Sequence, residues 1–286
     1  GGGLEGLAGP GDVELDAAGN RLTVKGAFGA RGDLLTVSIA APRLDPLGVS
    51  GDLNGTLVLG GSSKLPELTA DLRSARLSAK GIGEIRGLDL DARLGDGQQG
   101  ALSGKLQLAG LDLPDGGTVV HKLLLDAEGV RGAHRLRGQI GLPGPRDLRV
   151  LFEGGLNAPA SGMVWTGKLS ELTLSSVVDK GKPFVRLAGA VPLLAAAERF
   201  SAGPAEFVGN GWSARLERAA YEQQRWQTAG GLRGLPVLAV LAEFPEWSES
   251  ILEATKGKAE TLRLNAEWDL GNSSGVAGKG KSATVA

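Results

Sequence analysis

Three observations predict an all-β fold: apolar and polar residues alternate over many short runs, glycine-rich turns separate those runs, and aromatics make up only 4% of the chain. The expected form is one long curved sheet of antiparallel or mixed strands with a single apolar face. One or two short helices are expected near 193–200 and 236–254.

The alternation is clearest where Leu88, Leu90, Ala92 and Leu94 are separated by Asp89, Asp91 and Arg93. Side chains on a strand point alternately to opposite faces, so this run makes one apolar and one charged face. The same pattern places Leu106 and Leu108 against Lys105 and Gln107, Leu123 and Leu125 against Lys122 and Asp126, and Leu136 and Ile140 against Arg135, Arg137 and Gln139. Leu148, Val150 and Phe152 continue it, and Leu262, Leu264 and Trp268 alternate with Arg263, Asn265, Glu267 and Asp269. These apolar residues are the candidate lining of a groove.

Gly95, Asp96 and Gly97, and then Asp115, Gly116 and Gly117, supply the positive φ of tight hairpins. At Ala109 and Gly110 the alternation slips by one, and a β-bulge there restores the face. From Pro236 through Val237, Leu238, Val240, Leu241, Phe244, Trp247, Ile251 and Leu252 the apolar spacing turns helical, interrupted by Pro245. The stretch from Leu193 to Phe200 is a second helical candidate. Residues 1–286 are expected to form one elongated β segment, with 236–254 a helical insertion and 271–286 a frayed strand or disordered tail.

The 286 residues carry 31 Lys plus Arg and 32 Asp plus Glu, and neither sign forms a long run. Nucleic-acid binding, which relies on clustered cations, is therefore not expected. The absence of Cys excludes disulfides and thiolate metal sites. No run approaches the roughly 18 apolar residues of a membrane-spanning helix. The chain opens on Gly1, Gly2 and Gly3 and is read as a fragment.

Catalytic motifs fail on context. Gly275 to Ser282 matches the phosphate-binding loop, but too few residues follow for the helix that would cradle phosphate. Gly271 to Gly275 matches a nucleophile elbow around Ser273, yet both histidines, His121 and His134, lie upstream. Gly81, Gly83 and Gly87 miss dinucleotide-loop spacing and read as hairpin glycines. Asp89 and Asp91 belong to one solvent face. The helical stretch carries Glu243, Glu246, Glu249 and Glu253, so it is expected to cover a sheet edge or end and not an anionic membrane. No enzyme, cofactor or metal is expected.

An apolar sheet face must be covered, because each exposed Leu forfeits roughly 1.5–3 kcal/mol. A two-chain lipid with about 30 methylenes costs around 25 kcal/mol to move into water. Rows of Leu, Val and Ile replace a bilayer interior for such a molecule without any polar site. The expected function is a structural conduit for phospholipid acyl chains. The alternative is a scaffold that templates outer-membrane proteins by β-augmentation.

Leu53, Asn54, Gly55, Thr56, Leu57, Val58, Leu59 and Gly60, with Leu65, Pro66, Glu67 and Leu68, resemble a strand repeat of the TamB family, AsmA-like proteins of the Gram-negative translocation and assembly module. Trp165, Gly167, Leu169, Leu172 and Leu174 resemble a second family strand, Gly211 and Trp212 a third, and Gly231, Leu232, Leu235, Pro236 and Val237 its turn into a helix. The resemblance runs from about Leu34 to Leu270. It implies a taco-like trough with an apolar interior, a periplasmic location with an inner-membrane anchor outside this chain, phospholipid transport towards the outer membrane, and an outer-membrane barrel partner, TamA.

Overall fold

The computed structural model describes residues 11–30, 32–45, 48–62, 65–81, 83–114, 117–157, 162–179, 181–245, 262–273, 276–277 and 283–285. The fold is all-β, and the chain divides into two compact units, residues 1–144 with 154–158 and residues 145–153 with 159–286.

The first unit contains β1 (Gly11–Ala17), β2 (Asn20–Gly26), β3 (Leu34–Ala41), β4 (Val49–Gly51), β5 (Leu53–Gly61), β6 (Pro66–Ala79), β7 (Gly83–Leu94), β8 (Ala101–Leu108), β9 (Gly110–Asp112), β10 (Thr118–Val120), β11 (Lys122–Val130) and β12 (Ala133–Leu142). Pairing runs β1–β2–β3–β5–β6–β7–β8–β11–β12, antiparallel at every step. The short strands extend this meander: β4 lies beside β6, β9 beside β7, and β10 beside β9. Short hairpins make such a meander the natural path. Between β1 and β2 the turn is only Ala18 and Gly19, with φ of 55° and 82°, the double left-handed geometry that matches strand twist.

The slip in alternation at Ala109 falls at the break between β8 and β9 and belongs to a bulge line that crosses three strands with the register unchanged on either side. Ser74 faces Leu88 and Arg76 faces Arg86, so Ala75 and Gly87 lie opposite one another at one level. Asp89 opposite Gln107 and Arg86 opposite Gly110 set Ala109 beside Gly87. Gly87 has a φ of 59°, and a Cβ there would sit 2.7 Å from the Ala109 Cβ. Gly87 is thus a bulge residue within β7, while Gly81 and Gly83 flank the β6–β7 turn as hairpin glycines. On the flank of the line the Asp52 carboxylate accepts the Ala75 and Arg76 amides at 3.0 and 3.2 Å, satisfying donors that the bulge leaves without ladder partners. Beyond it Leu77, Ile85, Leu111 and Val120 face one another in a fresh apolar row.

The second unit takes in residues 146–153 of β13 (Arg146–Asn157), whose last residues belong to the first unit, and contains β14 (Val164–Ser175), β15 (Pro183–Leu187), β16 (Val191–Ala196), β17 (Arg199–Ala202), β18 (Ala205–Gly209), β19 (Trp212–Glu222), β20 (Arg225–Pro236), α1 (Val237–Glu243), β21 (Arg263–Ser273), β22 (Val276–Ala277) and β23 (Ala283–Val285). β14 pairs with β15 and β16, which pair with β18 and β17; both of these pair with β19, followed by β20 and β21. Every pair is antiparallel.

The helix expected at 193–200 does not form. Leu193 to Ala196 lie in β16 and Arg199 and Phe200 in β17, joined as a hairpin in which Leu193 faces Ala202 and Ala195 faces Phe200. The Leu- and Ala-rich run has helical propensity, but pairing with β14 and β17 on both sides outweighs it. The helix expected at 236–254 is present as α1, which follows Pro236 and ends at Phe244. Its buried Glu243 accepts from the Ser176 hydroxyl and, at 2.6 Å, from the Val177 amide, tying the helix to the turn after β14. Residues 246–254 of that expectation, with Trp247 and Ile251, lie outside the described residues. The 271–286 tail contributes the end of β21, β22 and β23.

Candidate functional site: an apolar sheet face

In the first unit the cross-strand register assembles the alternating residues into rows. Leu15, Leu22, Ile39, Gly55, Leu72, Leu90, Leu106, Leu125 and Gly138 lie opposite one another across nine strands. A second row joins Val13, Val24, Val37, Leu57, Ala70, Ala92, Gly104, Ala127 and Leu136 across the same nine. Leu88, Leu108, Leu123 and Ile140 form a third, and Leu94 sits between Leu68 and Leu102 in a fourth. At about 4.8 Å per strand, each nine-strand row is roughly 38 Å long. The opposite face carries Asp71, Asp91, Lys105, Asp126 and Arg137 in register.

The rows are half-buried, not buried. Leu88, Leu90, Ala92, Leu94, Leu106, Leu108, Leu123, Leu125, Leu136 and Ile140 are all of intermediate exposure. Side chains about 5 Å apart on a pleated face shade one another from the side, but only a second layer removes the rest of their surface. Among the described apolar residues of this unit, Leu35, Ala41 and Ala70 are buried. At the edge strand β1, Val13 and Leu15 are 49% and 57% exposed.

One end of the face is closed by a residue that the alternation does not reveal. Arg131, in the turn between β11 and β12, is 1% exposed. Its guanidinium donates to the Gly95 carbonyl at 3.1 Å and to the Pro66 carbonyl, and its Nε has no hydrogen-bond partner among the described residues. Burial pulls the guanidinium below its ordinary pKa, and the charges of Asp96 and Glu67 oppose that shift. In a flat sheet β11 and β6 lie about 14 Å apart. One side chain spans from the β11–β12 tip to the start of β6 only where the strand ends curl towards each other. Beside it buried His134 holds its Nδ1 3.1 Å from the Arg131 carbonyl and 3.2 Å from that of Val130. On the far side of the bulge line, Asp112 is kept below the usual carboxylate range by a 2.6 Å hydrogen bond from Thr118, reinforced by the Arg86 charge.

The second unit builds its own apolar face. Leu187, Val191 and Ala205 are buried, with Leu169, Leu172, Leu193, Phe207 and Leu216 packed against them. Leu187, Phe207, Ala214, Leu232 and Ala266 form one cross-strand row, and Ala205, Leu216, Gly230 and Trp268 the next. Of the expected lining, Leu264 and Trp268 lie on this face in β21, and Leu262 precedes that strand, its carbonyl accepting the Val237 amide. Leu148, Val150 and Phe152 are half-buried at alternate positions of β13. Glu153, of opposite parity, pairs with Lys168 at 3.2 Å and accepts from Ser170 on the polar side. The rows contributed by β1 to β6 and by β14 to β19 were absent from the expected lining, although outside β16 the same period-two signal marks them.

A cavity of about 1110 Å³ in this unit is lined by Glu206, Arg215 and Glu267, which share a row on the polar face. Its lining also includes Ala205, Ala214, Gly230, Leu232, Ala266 and Trp268 of the apolar rows. Ser273 pairs with Val276 in a hairpin, which is not the strand-to-helix context of a nucleophile. Most of the glycine-rich run 275–282 lies outside the described residues, and among those described no cluster of His, Asp and Glu is arranged to hold a metal.

A family model described as "TamB, N-terminal domain" matches residues 9–186, more than half of the chain. The chain belongs to the TamB family. The matched span contains the Leu53–Leu68 repeat and the Trp165–Leu174 strand, and begins earlier than the motifs alone indicated. The Gly211–Trp212 and Gly231–Val237 motifs fall beyond it. No curated protein and no solved structure matches the chain. TamB-family proteins are structural and transport modules of the cell envelope, associated with the translocation and assembly module and its TamA partner. Among the described residues no helix is long and apolar enough to cross a membrane.

Proposed function

We propose that this chain is a section of a lipid conduit, in which phospholipid acyl chains lie against the apolar rows while they pass between the inner and outer membranes. The observation that carries the reading is the register of the first unit, where apolar residues face one another across nine strands without interruption by a charge. A surface that stays apolar over roughly 38 Å lets a chain slide from strand to strand with little change in free energy. The half-buried state of these residues fits a face completed by a mobile apolar ligand. In this reading the sheet forms a trough, 1–286 is one stretch of it, the location is periplasmic, and TamA and the inner-membrane anchor engage outside these residues.

Among the described residues β1 pairs with β2 alone, Val13 and Leu15 are exposed and the strand holds no proline, which favours a second reading in which β-augmentation serves outer-membrane protein assembly. Mass spectrometry of lipid extracted from the purified chain separates the two. Stoichiometric co-purified phospholipid is expected of the conduit, and a chain that neither retains nor takes up phospholipid refutes it.

A further inference from the structure

Aromatic residues are few, at six Phe, five Trp and one Tyr, yet four of them share one row. Trp165 faces Ala195, Ala195 faces Phe200, Phe200 faces Tyr221, and Tyr221 faces Trp226. The row is on the apolar side, since Val191 and Leu193 share its parity on β16, and it is the last such row before two hairpin turns. Phe200, Tyr221 and Trp226 are 41%, 42% and 42% exposed, whereas Val191 and Ala205, further along the face, are 2% and 6% exposed. Rings with an apolar body and a polar edge collect where an apolar medium meets a polar one.

The other end of the face is built differently. There Phe184 packs on Trp212 at 5.5 Å and edge-on to Phe244 at 5.6 Å, with the Arg146 guanidinium 4.7 Å from the Phe244 ring. That end is plugged by its own side chains. Along β19 the distance from Trp212 to Tyr221 is roughly 27 Å at about 3.3 Å per residue, allowing for the bulge at Glu217. One residue further along each strand, on the opposite face, Arg199 faces Glu222 and Glu222 faces Arg225, a paired set of charges at the polar hairpin end of the sheet.

We propose that a phospholipid bound to the second unit lies along the strands, headgroup at the open Trp165–Trp226 row and chain ends directed towards the Trp212 plug. The proposal rests on the lipid reading and adds an orientation to it. Acyl chains then lie across the run of strands, each molecule held by its own length of Leu, Val and Ala.

The test uses the full chain in two single-tryptophan forms. One keeps Trp226, with Trp165, Trp212, Trp247 and Trp268 changed to Phe; the other keeps Trp212, with Trp165, Trp226, Trp247 and Trp268 changed to Phe. Each is loaded with phosphatidylcholine carrying a nitroxide either near the headgroup or at the acyl terminus. The expected result is a reversal: the head-proximal label quenches Trp226 more than the terminal label does, and the terminal label quenches Trp212 more. Equal or inverted quenching with lipid bound overturns the orientation alone. Failure of either label to quench either tryptophan, with no lipid retained, overturns the lipid reading beneath it. If the variants misfold, photocrosslinking of a head-labelled phosphatidylcholine to the native chain decides. Adducts at Trp165, Phe200, Tyr221 or Trp226 support the proposal, and adducts confined to Phe184, Trp212 and Phe244 on the plugged side refute it.

Discussion

Replacing Arg131 by Ala should loosen one end of the first unit without dissolving its sheet. Two charge-assisted hydrogen bonds are lost, to the half-buried carbonyls of Gly95 and Pro66, each worth about 1.5–3 kcal/mol. Against this, the guanidinium's own burial is relieved, including an Nε that has no partner, which returns about 1–3 kcal/mol. At the middle of these ranges the net loss is about 2.5 kcal/mol, concentrated where Arg131 and Gly132 donate to the Gly100 and Gln98 carbonyls and Gly95 to that of Ala101. Hydrogen exchange reads this directly: opening by that amount speeds exchange of these amides by about 70-fold. Amides in the middle of β6 and β7 should change far less. Unchanged exchange at residues 95, 131 and 132 would refute the argument that this one side chain holds the curled strand ends together.

Leu90→Asp sets a carboxylate between Leu72 and Leu106 and should weaken binding of a fluorescent phospholipid about 100-fold, for a desolvation cost of about 3 kcal/mol, while Asp91→Asn on the other face leaves it unchanged. Equal affinities would discard the apolar face as the lipid surface. Gly51→Ala, at a φ of 117° with its new Cβ driven into the Arg76 carbonyl, should cost about 1–3 kcal/mol, seen as a lowered urea midpoint. The Asp112 carboxyl lies below its unfolded pKa, so its contribution to stability is present above that value and lost as pH falls through the folded one. Thr118→Val should raise its NMR titration midpoint; an unmoved midpoint would assign the shift to Arg86 alone. Glu243→Gln should release α1 from the Ser176–Val177 turn, detected as new protease cleavage near residue 240.

The parts of the fold legible in the sequence are those where burial repeats with the period of the backbone. Leu88 to Leu94 announces a strand because every second residue must face the same way, and the slip at Ala109 announces a bulge for the same reason. Leu193 to Ala197 misleads because Leu194 and Pro192 make the run apolar on both faces, so the period of two is erased and Ala and Leu propensity takes its place. Arg131 is invisible for another reason: an arginine beside a glycine is the composition of any solvated turn, and its burial is created by Pro66 and Gly95, 65 and 36 residues away. The aromatic row is likewise a product of register. Trp165, Phe200, Tyr221 and Trp226 have no common spacing along the chain and become neighbours only once four strand pairings are closed.

The aligned bulges at Ala75, Gly87 and Ala109 also constrain how such a chain can change over generations. A residue inserted into a single strand would throw its leucines to the charged side, whereas these three strands carry their extra residues side by side and remain in step. Gains and losses of length should therefore arrive as coordinated sets on neighbouring strands. In relatives of this chain, an insertion near Gly87 without counterparts near Ala75 and Ala109 should be found only in a hairpin turn.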